Sequence, residues 1–211
     1  MSPKFNSEEE AVVAHEVYHI DTDREGKFSP SHTGWSRTKK IIDHVTSVIS
    51  KTRILGIGCN SGGLEKVILI KFPGSLVYGI DVQPELVERA KRKGIIAKVA
   101  RGEKVPYPDD YFDVVLLSEI LEHVFNPRKV LDEAIRVVKK GGLIVGSVPH
   151  PKGVNAKKGV EGHPYHARIF TKRDIEALLS SLGEVEITEI EYAYWSDGTP
   201  QWFVFKGIKC K

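Results

Sequence analysis

Cysteine is nearly absent from this chain: Cys59 and Cys210 are the two in 211 residues, and there is one methionine. Two cysteines so far apart make no disulfide framework, so a hydrophobic core has to hold the fold together, and Cys59 reads as a small buried residue. Long apolar runs are missing as well. None approaches the roughly 18 residues of a membrane span, and the start of the chain, with Glu8-Glu9-Glu10, lacks the basic-then-apolar order of a secretory signal. A cytoplasmic protein without a membrane span is therefore expected. Charge of one sign is lacking too: the net charge is +3, too small to imply nucleic acid by itself. The basic clusters Arg37 to Lys40, Lys91 to Lys93, Lys157-Lys158 and Lys172-Arg173 read as solvated faces. Repeats and low-complexity segments are absent, and the length suits one sizeable core better than two.

What is present centres on Ile54-Leu-Gly-Ile-Gly58-Cys-Asn60-Ser-Gly62-Gly63. An apolar run of strand character, Arg53 to Ile57, stops at a glycine-rich turn, and residues 63–70 then read as a helix. Backbone N–H groups at the start of that helix would face a ligand. After Pro73-Gly74 a second strand, Leu76 to Ile80, ends in Asp81, 18 residues past Gly63. That spacing suits an acid that holds a ribose. Strand, glycine turn, helix, strand and terminal acid in this order make a nucleotide site.

The rest of the chain continues the alternation. A helix over residues 7–19 with Ser7 as N-cap is followed by a loop, then by a helix over residues 34–50 with Ile41, Ile42, Val45, Val48 and Ile49 at helical spacing. Strands are expected at 53–57, 76–80, 95–99, 112–117 and 143–148, and helices at 63–70, 84–93 and 127–140, the last capped by Gly141-Gly142. A helix at 172–182 precedes two strands, 184–194 and 201–209, joined through Ser196-Asp-Gly-Thr-Pro as a hairpin. The pattern predicts an α/β fold: a Rossmann-like, doubly wound, mostly parallel seven-stranded sheet with a C-terminal antiparallel hairpin. Residues 1–52 would form a helical lid or cap segment and residues 53–211 the ligand-binding domain, in one compact unit.

These motifs resemble the class I S-adenosylmethionine-dependent methyltransferases, and the resemblance runs from about Ser31 to the C-terminus. It implies S-adenosylmethionine as cofactor, bound by Gly56, Gly58, Cys59, Asn60, Gly62, Asp81, Val82 and Ser118, with the adenine near Gly102 and Glu103. Three positions depart from the family, and one is Arg101, which stands where the family often has an acid or amide near the adenine. Gly56 stands where the family has Asp or Glu, a carboxylate that helps orient the methionine end of the cofactor. Asn60 stands where it has a glycine, a milder change because Asn enters left-handed backbone conformations readily. The passage from Val130 through Gly141-Gly142 to Val148 is similar to the family's helix, glycine pair and fifth strand. A dinucleotide-dependent oxidoreductase would share the first strand and acid, but the glycines at 56, 58, 62 and 63 do not spell G-x-G-x-x-G, and no Tyr-x-x-x-Lys pair follows.

Past the fourth strand, Glu119-Ile-Leu-Glu122-His123 spaces three polar groups to converge on a helical turn. The pattern resembles one that holds a divalent metal in small-RNA 3′-terminal 2′-O-methyltransferases and in ubiquinone-pathway O-methyltransferases. By that resemblance Glu119, Glu122, His123 and His166 are the candidate metal ligands. The bland alternative makes Glu122 and His123 a helix cap or pocket wall. Either way, His123 and His166 are the candidate bases for the acceptor proton, and Glu119 would orient one of them. Near the N-terminus, His15-Glu-Val-Tyr-His19 spells a zinc-peptidase motif, but with no sheet before it the motif reads as part of a lid helix. Three functions follow: transfer of a methyl group to an O or N acceptor on a small molecule, metal-assisted methylation of an RNA terminus, or cofactor binding without catalysis. A small-molecule acceptor is the expected partner, RNA is the alternative, and no protein partner is evident.

Overall fold

The computed structural model describes residues 35–46, 52–153, 167–191 and 198–210. The apolar run before the glycine turn is strand β1, Arg53–Ile57, and its last four residues are buried. It pairs in parallel with β2, Leu76–Asp81, on one side and with β4, Phe112–Ser118, on the other. A strand covered on both faces is apolar nearly throughout, which is why β1, β2 and β4 read as continuous hydrophobic runs. Strand β3, Ile96–Val99, forms the edge beyond β2. Strand β5, Val138–Pro149, continues the sheet beyond β4. The chain's last strand, β7 at Trp202–Ile208, pairs antiparallel with β5 and with β6, Gly183–Ile190. The seven-stranded order is therefore β3-β2-β1-β4-β5-β7-β6, mostly parallel and closed by an antiparallel pair, as the sequence pattern predicts.

Successive residues of each strand point to opposite faces, so the sheet separates two cores. Ile54, Val77, Val114 and Leu116 face one core, shared with helices α1 (Trp35–Thr46), α2 (Gly63–Lys71) and α3 (Pro84–Arg92) through Ile41, Ile42, Val45, Val67, Ile68 and Val87. Leu55, Ile57, Val115 and Leu117 face the other, shared with α4 (Pro127–Val137) and α5 (Lys172–Leu178) through Val130, Leu131, Ala134 and Ile175. The strand order reverses between β1 and β4, and a crevice opens there above the carboxyl ends of the strands.

Two expectations need correction. Helix α4 stops at Val137, short of the Gly141-Gly142 cap, because Val138 is already extended and pairs with Phe112. The carbonyls of Arg136 and Val137 accept the N–H groups of Asp110 and Tyr111, at 3.0 and 2.8 Å, so the loop before β4 caps the helix. The cluster Arg37 to Lys40 is also not a solvated face throughout: Arg37 bonds Glu119 at 3.0 Å and Lys40 bonds Glu186 at 3.1 Å. The expected helix over residues 7–19, with the His15 to His19 motif, lies outside the described residues.

Candidate functional site

Beyond β1 the chain turns through Gly58 to Gly62 into α2. Gly58 has φ 73°, and a Cβ on it would stand 2.7 Å from Ile120 Cδ1, so both backbone and neighbour require glycine here. Asn60 takes φ 51° where the family has glycine, and its side-chain oxygen accepts the Ser61 N–H at 2.7 Å. That local bond is what lets Asn hold a left-handed conformation. The turn uses its own donors: the N–H groups of Gly58 and Cys59 reach the Ile80 carbonyl at 2.8 and 3.0 Å, and that of Gly62 reaches Cys59. It falls to the first turn of α2, Gly63 to Glu65, to present N–H groups to a ligand.

Asp81 is tied into the same turn. One carboxylate oxygen accepts the Asn60 N–H at 2.9 Å and the other accepts the Gln83 N–H at 3.0 Å. The acid thus joins the end of β2 to the glycine turn and to the start of α3. Each oxygen keeps a further lone pair for a ligand hydroxyl. Cys59 is buried, and burial with Glu65 and Asp81 nearby pushes its thiol far above the usual range, so it is inert packing.

A pocket of about 220 Å³ lies at the reversal point, walled by Gly58, Asn60, Gly63, Glu65, Ser118 and Glu119, among others, with Arg37 at its edge. Gly56, Gly62, Asp81, Val82, Gly102 and Glu103 are not part of this wall. Gly62 is the N-cap of α2, Val82 is exposed beside Asp81, and Gly102 abuts Ile57 and Val130 in the turn after β3, with Arg101 drawn toward Glu103 at 3.6 Å. Glu65 belongs to none of the sequence motifs. It is 3% exposed, and burial pushes its carboxyl up to about 7, with Asp81 adding to the rise. Its one signal in the sequence is an acid in the first turn of the helix after the glycines.

The Glu119 to His123 stretch is not a helical turn. Glu119 has φ 53° and ends β4 in a sharp bend, which sends its carboxylate back over the sheet. There it accepts from Ser147 Oγ at 2.9 Å and from Trp202 Nε1 at 3.2 Å, and pairs with Arg37. Ser118 Oγ stands 3.2 Å from Ser147 Oγ, beside this network. The Arg37 guanidinium lies over the Trp202 ring, 5.2 Å from its centroid. Arg37 and Trp202 were not legible as site residues, because nothing local in either segment marks the meeting.

Glu122 is 1% exposed, and neither of its oxygens has a hydrogen-bond partner among the described residues. Burial, with Glu119 close by, raises its carboxyl well above the usual range. His123 Nε2 lies 3.8 Å from it. Glu122 is thus pushed toward its neutral form, and the Glu119 carboxylate is already engaged by an arginine. Among the described residues no group of three His, Cys, Asp or Glu side chains could hold a metal, so the metal expectation is not supported. His166, its fourth member, lies outside the described residues.

Residues 55–146 match the family model of a methyltransferase domain. An uncharacterized protein of Methanocaldococcus jannaschii is 29% identical, the match covering 74% of this chain and 78% of that one. A ubiquinone biosynthesis O-methyltransferase of Shewanella halifaxensis is 30% identical over 58% of this chain, which spans only 54% of that enzyme's length. In fold, the chain is similar to an S-adenosylmethionine-dependent methyltransferase of Thermotoga maritima, with TM-score 0.67 and 20% identity over 93% of this chain and 99% of that one. It is also similar to a Haloferax volcanii structure, a complex between the Trm112 methyltransferase activator and a methyltransferase, with TM-score 0.73 and 17% identity over 99% and 100% of the two chains. No helix among the described residues is long and apolar enough to cross a membrane. Sheet order, glycine turn and terminal acid agree with the methyltransferase domain matched over residues 55–146, and the chain shares the fold of the S-adenosylmethionine-dependent methyltransferases.

Proposed function

We propose that the crevice between β1 and β4 binds S-adenosylmethionine and that the chain transfers its methyl group to an oxygen or nitrogen nucleophile on a small molecule. The observation that carries this reading is the Asp81 clamp: one carboxylate joins the glycine turn to the start of α3 and keeps lone pairs for a ribose. The residues present suit the cofactor. Gly58 and Asn60 shape the turn around it, the first turn of α2 offers it backbone N–H groups, Asp81 takes the ribose, the turn at Gly102 and Glu103 takes the adenine, and Ser118 lies toward the reacting end. When bound, the cofactor supplies an electrophilic methyl group on a sulfonium.

The protein's own task is then to hold the nucleophile in line, exclude water and take a proton. Arg37 and Glu119 wall the pocket edge, where an acceptor would be positioned, and buried Trp202 holds both from behind. The segment of residues 1–52, which brings Arg37 there on α1, acts as the cap. His123, in the turn that follows Glu119, takes the acceptor proton, with His166 as a second candidate. Kinship with a ubiquinone-biosynthesis O-methyltransferase supports an oxygen acceptor.

Incubation of the chain with S-adenosylmethionine and a panel of small hydroxyl and amine acceptors tests this reading by mass spectrometry of the methylated product. Turnover by the wild type, and a fall of roughly 100- to 10,000-fold in His123→Ala with cofactor affinity kept, is the expected result. Unchanged turnover in that variant removes His123 from the mechanism, and no turnover with any acceptor leaves a cofactor-binding protein.

A further inference from the structure

Gly56 lies in the middle of β1, paired with Gly79 of β2 and Leu116 of β4. A side chain there would rise into space that is already filled. A Cβ built on Gly56 would meet the Glu65 carboxylate, with Glu65 Cδ at 2.9 Å and Cγ at 3.2 Å. Glu65 arrives from the first turn of α2, one strand-to-helix connection later in the chain, and its side chain lies back across β1. An acid is therefore present over Gly56, although residue 56 itself carries none.

The other carboxylate in the pocket wall, Glu119, is already held by Arg37, Ser147 and Trp202. Glu65 forms no ion pair among the described residues, although it is 3% exposed and lines the pocket. The pocket's second arginine, Arg89, is turned to Glu85 at 2.8 Å. Lys93 is near enough to act on the charge of Glu65 but makes no salt bridge with it, and a buried acid that lines a pocket outside any salt bridge is a site for a cation brought by the ligand. S-adenosylmethionine carries such a group in the α-ammonium of its amino-acid end.

We propose that Glu65 is the anionic anchor for the α-ammonium of the cofactor, and that Gly56 is glycine because its side-chain space belongs to the Glu65 carboxylate. This rests on the cofactor reading above. It makes Glu65 and Gly56 a linked pair: an acid on the strand and an acid on the helix are alternatives that exclude each other. The consequence is a cofactor site whose amino-acid end is gripped from α2, while the nucleoside end is gripped from β2 through Asp81.

The test compares two ligands by calorimetry at pH 8. S-adenosylhomocysteine has the α-ammonium, and 5′-methylthioadenosine has the same nucleoside and thioether without it. Glu65→Gln keeps the shape and removes the charge. It should weaken S-adenosylhomocysteine by about 10- to 100-fold and leave 5′-methylthioadenosine unchanged. Equal weakening of both ligands, or of neither, overturns the proposal. A double variant, Gly56→Asp with Glu65→Ala, moves the acid to the strand and should recover most of the lost preference for S-adenosylhomocysteine, whereas Glu65→Ala alone should not. This comparison decides the matter if Glu65→Gln folds poorly. Wild type that binds neither ligand contradicts the cofactor reading itself, an outcome distinct from selective failure at Glu65.

Discussion

Glu65 and Glu122 are both carboxyls that burial drives toward the neutral form, and they set a pH dependence that the sequence does not announce. For Glu65 the folded protein binds its proton up to about pH 7, against about 4.5 for an ordinary glutamate, with Asp81, Lys93 and Cys59 the ionisable groups around it. The folded chain then binds more protons than the unfolded chain between these values. Stability therefore falls as pH rises from about 4.5 to about 7. Denaturant unfolding of the wild type at pH 5 and pH 8 should show a loss that is smaller in Glu65→Gln, by up to about 3 kcal/mol. Equal losses in the two proteins would mean that Glu65 is ionised in the folded state across this range. At this scale Asp81 was legible, because its spacing from the glycines is set along one strand-helix-strand unit. Glu65 was not, because its place over Gly56 depends on how α2 lies across β1. The helical turn expected over Glu119, Glu122 and His123 is absent: Glu119 takes a left-handed φ, which no spacing rule foresees for a glutamate.

Elements were more legible than their ends. The apolar runs of β1, β2 and β4 and the amphipathic spacing of α3 and α4 stand out, since each buries one stripe or both faces. The start of α4 is also local chemistry. The Asn126 side chain accepts the Lys129 N–H at 3.1 Å and Pro127 opens the helix. Asn126→Ala should cost about 1 kcal/mol, read as a lower Tm with unchanged cofactor binding. The end of α4 is set by partners distant in sequence, Asp110, Tyr111 and Phe112, and so it was misplaced at the glycine pair. Helix α1 shows the same limit. Its apolar stripe was legible, but the turning of Arg37 to Glu119 and of Lys40 to Glu186 needed the sheet in place.

For the whole molecule, the alternation of strand and helix gave the layers, and the final pair of strands gave the antiparallel edge. The insertion of β7 between β5 and β6 is a topological fact that no local pattern carries. Cohesion comes from the two cores on either side of the sheet. Phe112 is fully buried in the second of them, edge-on to Tyr78, Tyr107 and Tyr111 with ring centroids 5.0 to 5.3 Å apart. Phe112→Ala should lower the unfolding free energy by about 3 to 5 kcal/mol, measured by denaturant titration. A loss below about 1 kcal/mol would show that this cluster is not part of the cooperative core. The same sheet fixes the mouths of β1, β2 and β4 at one edge, so the site is a property of the assembled fold.

Asp81 organises this edge as the proposed cofactor site. Calorimetric titration of S-adenosylhomocysteine into wild type and Asp81→Ala, with NAD as the control ligand, tests it most directly. The wild type should bind S-adenosylhomocysteine and not NAD, and Asp81→Ala should bind it at least about 10-fold more weakly, from lost charge-assisted hydrogen bonds. Binding of NAD in place of the sulfur ligand, or equal affinity in the two proteins, would contradict this assignment.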